Sequence, residues 1–138
     1  MSTLKYPPMN NYLLSLVEEM KLFLPELRGL MILTPDGLPF DFAILNKNSK
    51  EDPIIIGGLI AFAVSSLSKA LEGFGDQNFD MTYVKGGDLA MVAGKVGNFY
   101  VALLVDADAK LGPLFMEFNR RRVQISRILE EYVGNNEE

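Results

Sequence analysis

Four groupings carry side chains that could do chemistry: Ser65-Ser66 with Lys69, Gly94-Lys95, Asp106-Ala107-Asp108, and Arg120-Arg121-Arg122 with Arg127. A serine beside a lysine offers a nucleophile and a base, yet these serines stand among the small residues of a helical segment, where serine packs far more often than it attacks. Gly94-Lys95, within AGKV, lacks both the earlier glycine and the following Ser or Thr of a phosphate-cradling loop, so nucleotide binding by this chain is not expected. Asp106 and Asp108 have no further oxygen ligands nearby in sequence, which reads as a solvated strand-to-helix loop rather than a cation site. The arginines point in different directions around a helix. They read as a solvated, helix-stabilising face, with a docking patch for an acidic partner or an anionic membrane surface as the functional alternative.

Composition narrows the classes further. The chain has no histidine and no cysteine, which removes the usual general base at neutral pH, thiolate chemistry and the commonest metal ligands. We therefore expect no enzyme, no cofactor and no metal site. A net charge of -5 argues against nonspecific binding to nucleic acid, which needs a basic surface. The absence of cysteine fits a reducing compartment, and the N-terminus shows no apolar export signal, so a cytoplasmic location is expected. The longest uncharged apolar run, Ile54 to Ser68, is shorter than the roughly 18–20 residues that cross a bilayer, so no membrane span is expected.

The elements that must position these groups follow from periodicity. At 138 residues the chain makes about one domain, placed at 10–134 with flexible termini at 1–9 and 135–138. In NNYLLSLVEEMKLFL, Leu13, Leu16, Val17, Met20 and Leu24 recur at helical spacing; Asn10 or Asn11 can cap and Pro25 ends the helix. LRGLMILTPDGLPFDFAIL reads as a hairpin turning at Pro35-Asp36-Gly37. Asp52 and Pro53 start a second helix that Gly73 or Gly75 stops. NFDMTYVK, LAMVAGKV and FYVALLVDA form a three-stranded meander turning at Gly86-Gly87-Asp88 and Gly97-Asn98. A last helix places Leu111, Leu114, Phe118, Ile125, Ile128, Leu129 and Tyr132 on one face, with Pro113 near its start and Gly134 after its end.

In the second strand Leu38, Phe40, Phe42 and Ile44 alternate with Pro39, Asp41 and Ala43, and Pro39 cannot donate to a ladder, so this strand belongs at an edge. The third strand alternates too, Phe79, Met81 and Tyr83 against Asp80, Thr82 and Val84. The others are apolar on both faces and therefore central. Three helices then cover two faces, a three-layer α/β/α sandwich in the order α-β-β-α-β-β-β-α.

The middle helix, PIIIGGLIAFAVSSLSKAL, raises a packing question. At about 100° per residue its large apolar residues span an arc of roughly 200°, about twice what one sheet contact uses. The remaining strip, Gly58, Ala61, Ser65, Ser68, Lys69 and Glu72, is small and polar. An uncovered apolar arc marks an interface, and the third strand, an edge without proline or central lysine, is open to pairing. The simplest arrangement is a twofold dimer in which this strand pairs with its copy and the two middle helices pack side by side. The alternative is that the first or last helix covers the surplus within one chain.

The hairpin GLMILTPDGLPF, the small-residue helix GGLIAFAVSSLSKAL, the meander with its glycine turns, and the last helix after DADAKLGPLF together resemble the roadblock family, relatives of the longin fold. The resemblance covers about Asn10 to Val133. It implies an α+β fold with a five-stranded antiparallel sheet in the order 2-1-5-4-3 and a dimer joined through the third strand and second helix. It also implies a noncatalytic regulator or scaffold for a Ras-like small GTPase, with GTPase activation as a possible role. On that resemblance the dimer interface comprises Phe79, Asp80, Met81, Thr82, Tyr83, Val84, Gly58, Ala61, Phe62 and Ser65, and the partner platform comprises Gly58, Ala61, Ser65, Ser68, Lys69 and Glu72, with Phe62 beside them. Ser65→Arg or Ala61→Trp is expected to abolish assembly with the monomer core intact. Two other readings stand beside it: a structural subunit of a larger motor or signalling complex, with a heterodimer possible, and a small-molecule-sensing domain.

Overall fold

The computed structural model describes residues 12–44 and 52–136. Its elements run α1 (Tyr12–Phe23), β1 (Leu27–Leu33), β2 (Pro39–Ile44), α2 (Pro53–Gly73), β3 (Met81–Lys85), β4 (Leu89–Val96), β5 (Phe99–Asp106) and α3 (Leu111–Asn136). The five strands form one antiparallel sheet in the order β2-β1-β5-β4-β3. Both the element order and the edge positions agree with the reading of the sequence. The expected cap at Asn10 or Asn11 lies outside the described residues.

Leu13, Leu16, Val17 and Met20 of α1 are buried together with Leu114, Phe118, Ile125 and Leu129 of α3. Both helices cover one sheet face, where Leu30, Ile32, Val92, Val101, Leu103 and Val105 complete the main core. Removing each such side chain from water contributes about 1.5–3 kcal/mol, so this layer dominates the stability. Leu111 does not join it. As the first residue of α3 it is 47% exposed, and α3 continues through Gly134 to Asn136 rather than stopping before it.

Among the described residues α2 is the one helix on the other face. Asp52 accepts a hydrogen bond from the Ile54 amide at 2.9 Å, with Pro53 in the first turn. At the far end the Gly75 amide donates to Glu72 O and the Asp76 amide to Leu71 O. Gly75 has φ +95°, the left-handed geometry that closes a helix and favours glycine. A smaller core of Ile60 and Val64 against Met31, Leu33, Ala93 and Ala102 joins α2 to the sheet.

Two strands depart from the expected pattern. In β2 the register shifts between Ile32, opposite Asp41, and Leu33, opposite Pro39, so Phe40 is an extra residue. The bulge breaks the alternation. Phe40 and Ala43 are buried on the α1/α3 side, while Phe42, opposite Met31, is 43% exposed on the α2 side. The third strand begins at Met81, leaving Phe79 and Asp80 as the approach to it.

Candidate functional site

The candidate site is the face made by α2 and the neighbouring β3 edge. The small residues of α2 decide how the helix sits. A Cβ on Gly57 would stand 2.9 Å from Leu33 Cδ2 and 3.0 Å from Gly37 O, and one on Gly37 would stand 3.0 Å from Ala61 Cβ. Gly37 has φ +87° and its amide donates to Thr34 O, closing the β1–β2 turn under the start of α2. The helix can approach that turn only along its small side, so Gly57, Ile60, Ala61 and Val64 face the sheet. Ile55, Leu59 and Phe62 then point outward, 55%, 65% and 74% exposed.

This corrects the expected platform. Ala61 is buried within the chain, and Ser65 and Ser68 are half-buried, while Gly58, Lys69 and Glu72 are exposed. The strip of small residues splits because part of it makes the sheet contact. Large outward side chains take the place expected for small ones. Phe62 was among the expected interface residues, but Ile55 and Leu59 were missed because composition gives the width of an apolar arc and not its rotation about the helix axis. For the same reason Ala61→Trp would disturb the monomer itself.

Among the described residues α2 is also the one helix long and apolar enough, by length and composition, to cross a membrane; its mean hydropathy over its most apolar stretch is 1.9. It extends past the uncharged run read from the sequence, and here it forms a layer on the sheet.

On β3, Met81 and Tyr83 pack toward the main core, with the Tyr83 ring edge-on to Phe115 at 5.8 Å. Thr82 is half-buried and Val84 exposed. The strand pairs with β4 from Met81↔Gly94 to Lys85↔Ala90 and, among the described residues, with no strand on its other side. Phe79 packs into the smaller core with Met91 and Tyr100. Asp80 is held from α3: Arg122 Nη1 lies 2.9 Å from Asp80 Oδ1, and Nη2 donates to Lys95 O at 2.8 Å and Asp80 O at 3.3 Å. No local pattern announces this link between residues 42 apart.

The arginines therefore do not form a uniformly solvated face. The Arg120 guanidinium lies 4.2 Å from the Phe23 ring centroid. Arg121 is buried, with Nε donating to Glu117 Oε2 at 2.8 Å and Nη1 3.5 Å from Glu19. Arg127 alone among the four is exposed without an ion pair among the described residues. Asp106, expected in a solvated loop, ends β5 and takes the Arg28 Nε at 2.7 Å. That bond and the neighbouring charge raise the Arg28 pKa. Ser66 and Lys69 are exposed on α2, and among the described residues no hydrogen bond connects Ser65 or Ser66 to Lys69.

No family model matches the chain, and no curated protein matches it. Solved structures do. A structure described as MglB with tetrameric arrangement superposes with a TM-score of 0.78 at 18% identity, covering 95% of this chain and 97% of that one. The gliding protein MglB from Thermus thermophilus gives a TM-score of 0.75 at 19% identity, with 94% and 97% covered. A Roadblock/LC7 domain from Streptomyces avermitilis gives 0.72 at 19%, with 84% and 96% covered. The fold is that of the roadblock domain.

Proposed function

We propose that this roadblock-fold chain is a noncatalytic, cytoplasmic regulator or scaffold that dimerises through β3 and α2 and binds a Ras-like small GTPase on the paired helices. The observation that carries the reading is the outward face of α2. Ile55, Leu59 and Phe62 are largely exposed on an ordered helix, beside an edge strand unpaired among the described residues. Leaving three such side chains in water forgoes about 1.5–3 kcal/mol each, which a helix-to-helix contact recovers. The β3 edge supplies main-chain donors and acceptors to a second copy, and one twofold axis serves both contacts.

The GTPase part rests on the roadblock resemblance and on the likeness in fold to the MglB structures. In an activating role the paired helices would hold the partner's switch regions and its own catalytic groups in place. The test has two stages. Light scattering over a dilution series should give about twice 15.4 kDa. A Ras-like GTPase encoded beside this chain should then bind differently when loaded with a GTP analogue and with GDP. A persistent monomer overturns the homodimer, and binding indifferent to the nucleotide favours the structural-subunit reading instead.

A further inference from the structure

The α3 side of the molecule, away from α2, carries a groove that the dimer reading does not use. It runs between the C-terminal half of α3 and the β4–β5 hairpin. One part, about 450 Å3, is lined by Lys95, Arg122 and Arg127. The next, about 330 Å3, is lined by Phe99, Leu129 and Val133. Both share Val96, Gly97, Ser126 and Glu130, so they adjoin as one shallow groove, cationic at one end and apolar at the other. Arg122 is the fixed floor, its charge met by Asp80. Lys95 and Arg127 are exposed and have no ion-pair partner among the described residues.

We propose that this groove docks an acidic, amphipathic peptide segment of a protein partner, its carboxylates at Lys95 and Arg127 and an apolar side chain over Phe99, Leu129 and Val133. Charge complementarity selects an anionic occupant, since among the described lining residues Lys95 and Arg127, neither in an ion pair, meet one carboxylate, Glu130. The groove sets its cationic end beside an apolar one, the pairing that an amphipathic peptide presents. Its apolar end distinguishes a peptide from a small free anion.

The probe is a fluorescein-labelled glutamate-leucine peptide, read by anisotropy on the full chain against its lysine-leucine counterpart and by amide shifts in NMR. Saturable binding of the acidic peptide is expected, weakening as salt rises from about 50 to 300 mM, with shifts confined to 95–99 and 122–134. Lys95→Glu with Arg127→Glu should weaken it about tenfold, while Arg120→Glu, outside the groove, leaves it unchanged. Thermal melting and solution mass confirm that each variant keeps its fold and assembly. Equal binding of the basic peptide, indifference to the double reversal, or shifts centred on α2 would each overturn the proposal. So would binding to phosphatidylglycerol vesicles, or shifts with inorganic phosphate, when the acidic peptide does not bind.

Discussion

Arg122 of α3 holds Asp80 at the approach to β3, with Nη1 2.9 Å from Asp80 Oδ1 and Nη2 donating to Lys95 O at 2.8 Å. One side chain thus ties a helix of the main layer to the end of β4 and to the start of the exposed edge strand.

Removing either side chain should loosen the start of β3. Asp80 is largely exposed, so Asp80→Ala is expected to cost only about 0.5–1 kcal/mol. Arg122→Ala also strips two backbone carbonyls of their donor and should cost about 1–2 kcal/mol. Hydrogen exchange at Met81 to Tyr83 should quicken in both, more in the arginine variant. Unchanged exchange would show that the strand holds its register without the clamp.

The outward face of α2 can be tested by charge. Leu59→Asp or Phe62→Asp places a carboxylate where the side chain is 65% or 74% exposed, so the isolated fold should lose no more than about 0.5 kcal/mol. Solution mass should fall to that of one chain. A Tm that drops steeply without a change in mass would mean that these residues cover the chain's own core.

The sheet side of α2 should respond oppositely. Gly57→Ala puts a Cβ 2.9 Å from Leu33 Cδ2 and 3.0 Å from the Gly37 carbonyl oxygen, which is backbone and yields little. Overpacking of this kind costs about 1–3 kcal/mol. Urea unfolding should show a lower midpoint with an unchanged slope, and Ala61→Trp a larger loss. Retained stability in both variants would show that α2 shifts outward freely.

Arg121 and Glu117 form a buried pair, both 4% exposed, 2.8 Å apart, and the Arg121 Nη2 has no hydrogen-bond partner among the described residues. Arg121→Ala leaves the buried Glu117 carboxylate with the more distant Arg120, 4.0 Å away, in place of its 2.8 Å partner and is expected to cost about 3–5 kcal/mol. Replacing both residues, Arg121→Met with Glu117→Leu, should recover most of that loss. Denaturant melts of the two singles and the double measure the difference; a double no better than Arg121→Ala would place the cost in packing rather than in charge.

The chain order of the elements, the start and end of α2 and the edge position of β2 and β3 were legible in the sequence, because each rests on residues near one another in the chain. Asp52-Pro53 starts α2 and Gly75 ends it by local backbone geometry. Pro39 confines β2 to an edge whatever surrounds it. The width of the apolar arc on α2 was likewise set by composition.

Three decisions belonged to the tertiary structure. The bulge at Phe40 turned Phe42 out and Ala43 in, since strand curvature depends on what the sheet packs against. The contact of Gly57 and Ala61 with the turn at Gly37 rotated α2, so that Ile55, Leu59 and Phe62 face outward while Ala61 faces the sheet. The neighbouring arginines divided between two surroundings, Arg120 and Arg121 beside Phe23 and Glu117, and Arg122 and Arg127 at the groove, where Arg122 also clamps Asp80. Helical periodicity spaces side chains at about 100°, but only the surfaces brought against each direction determine what a side chain meets.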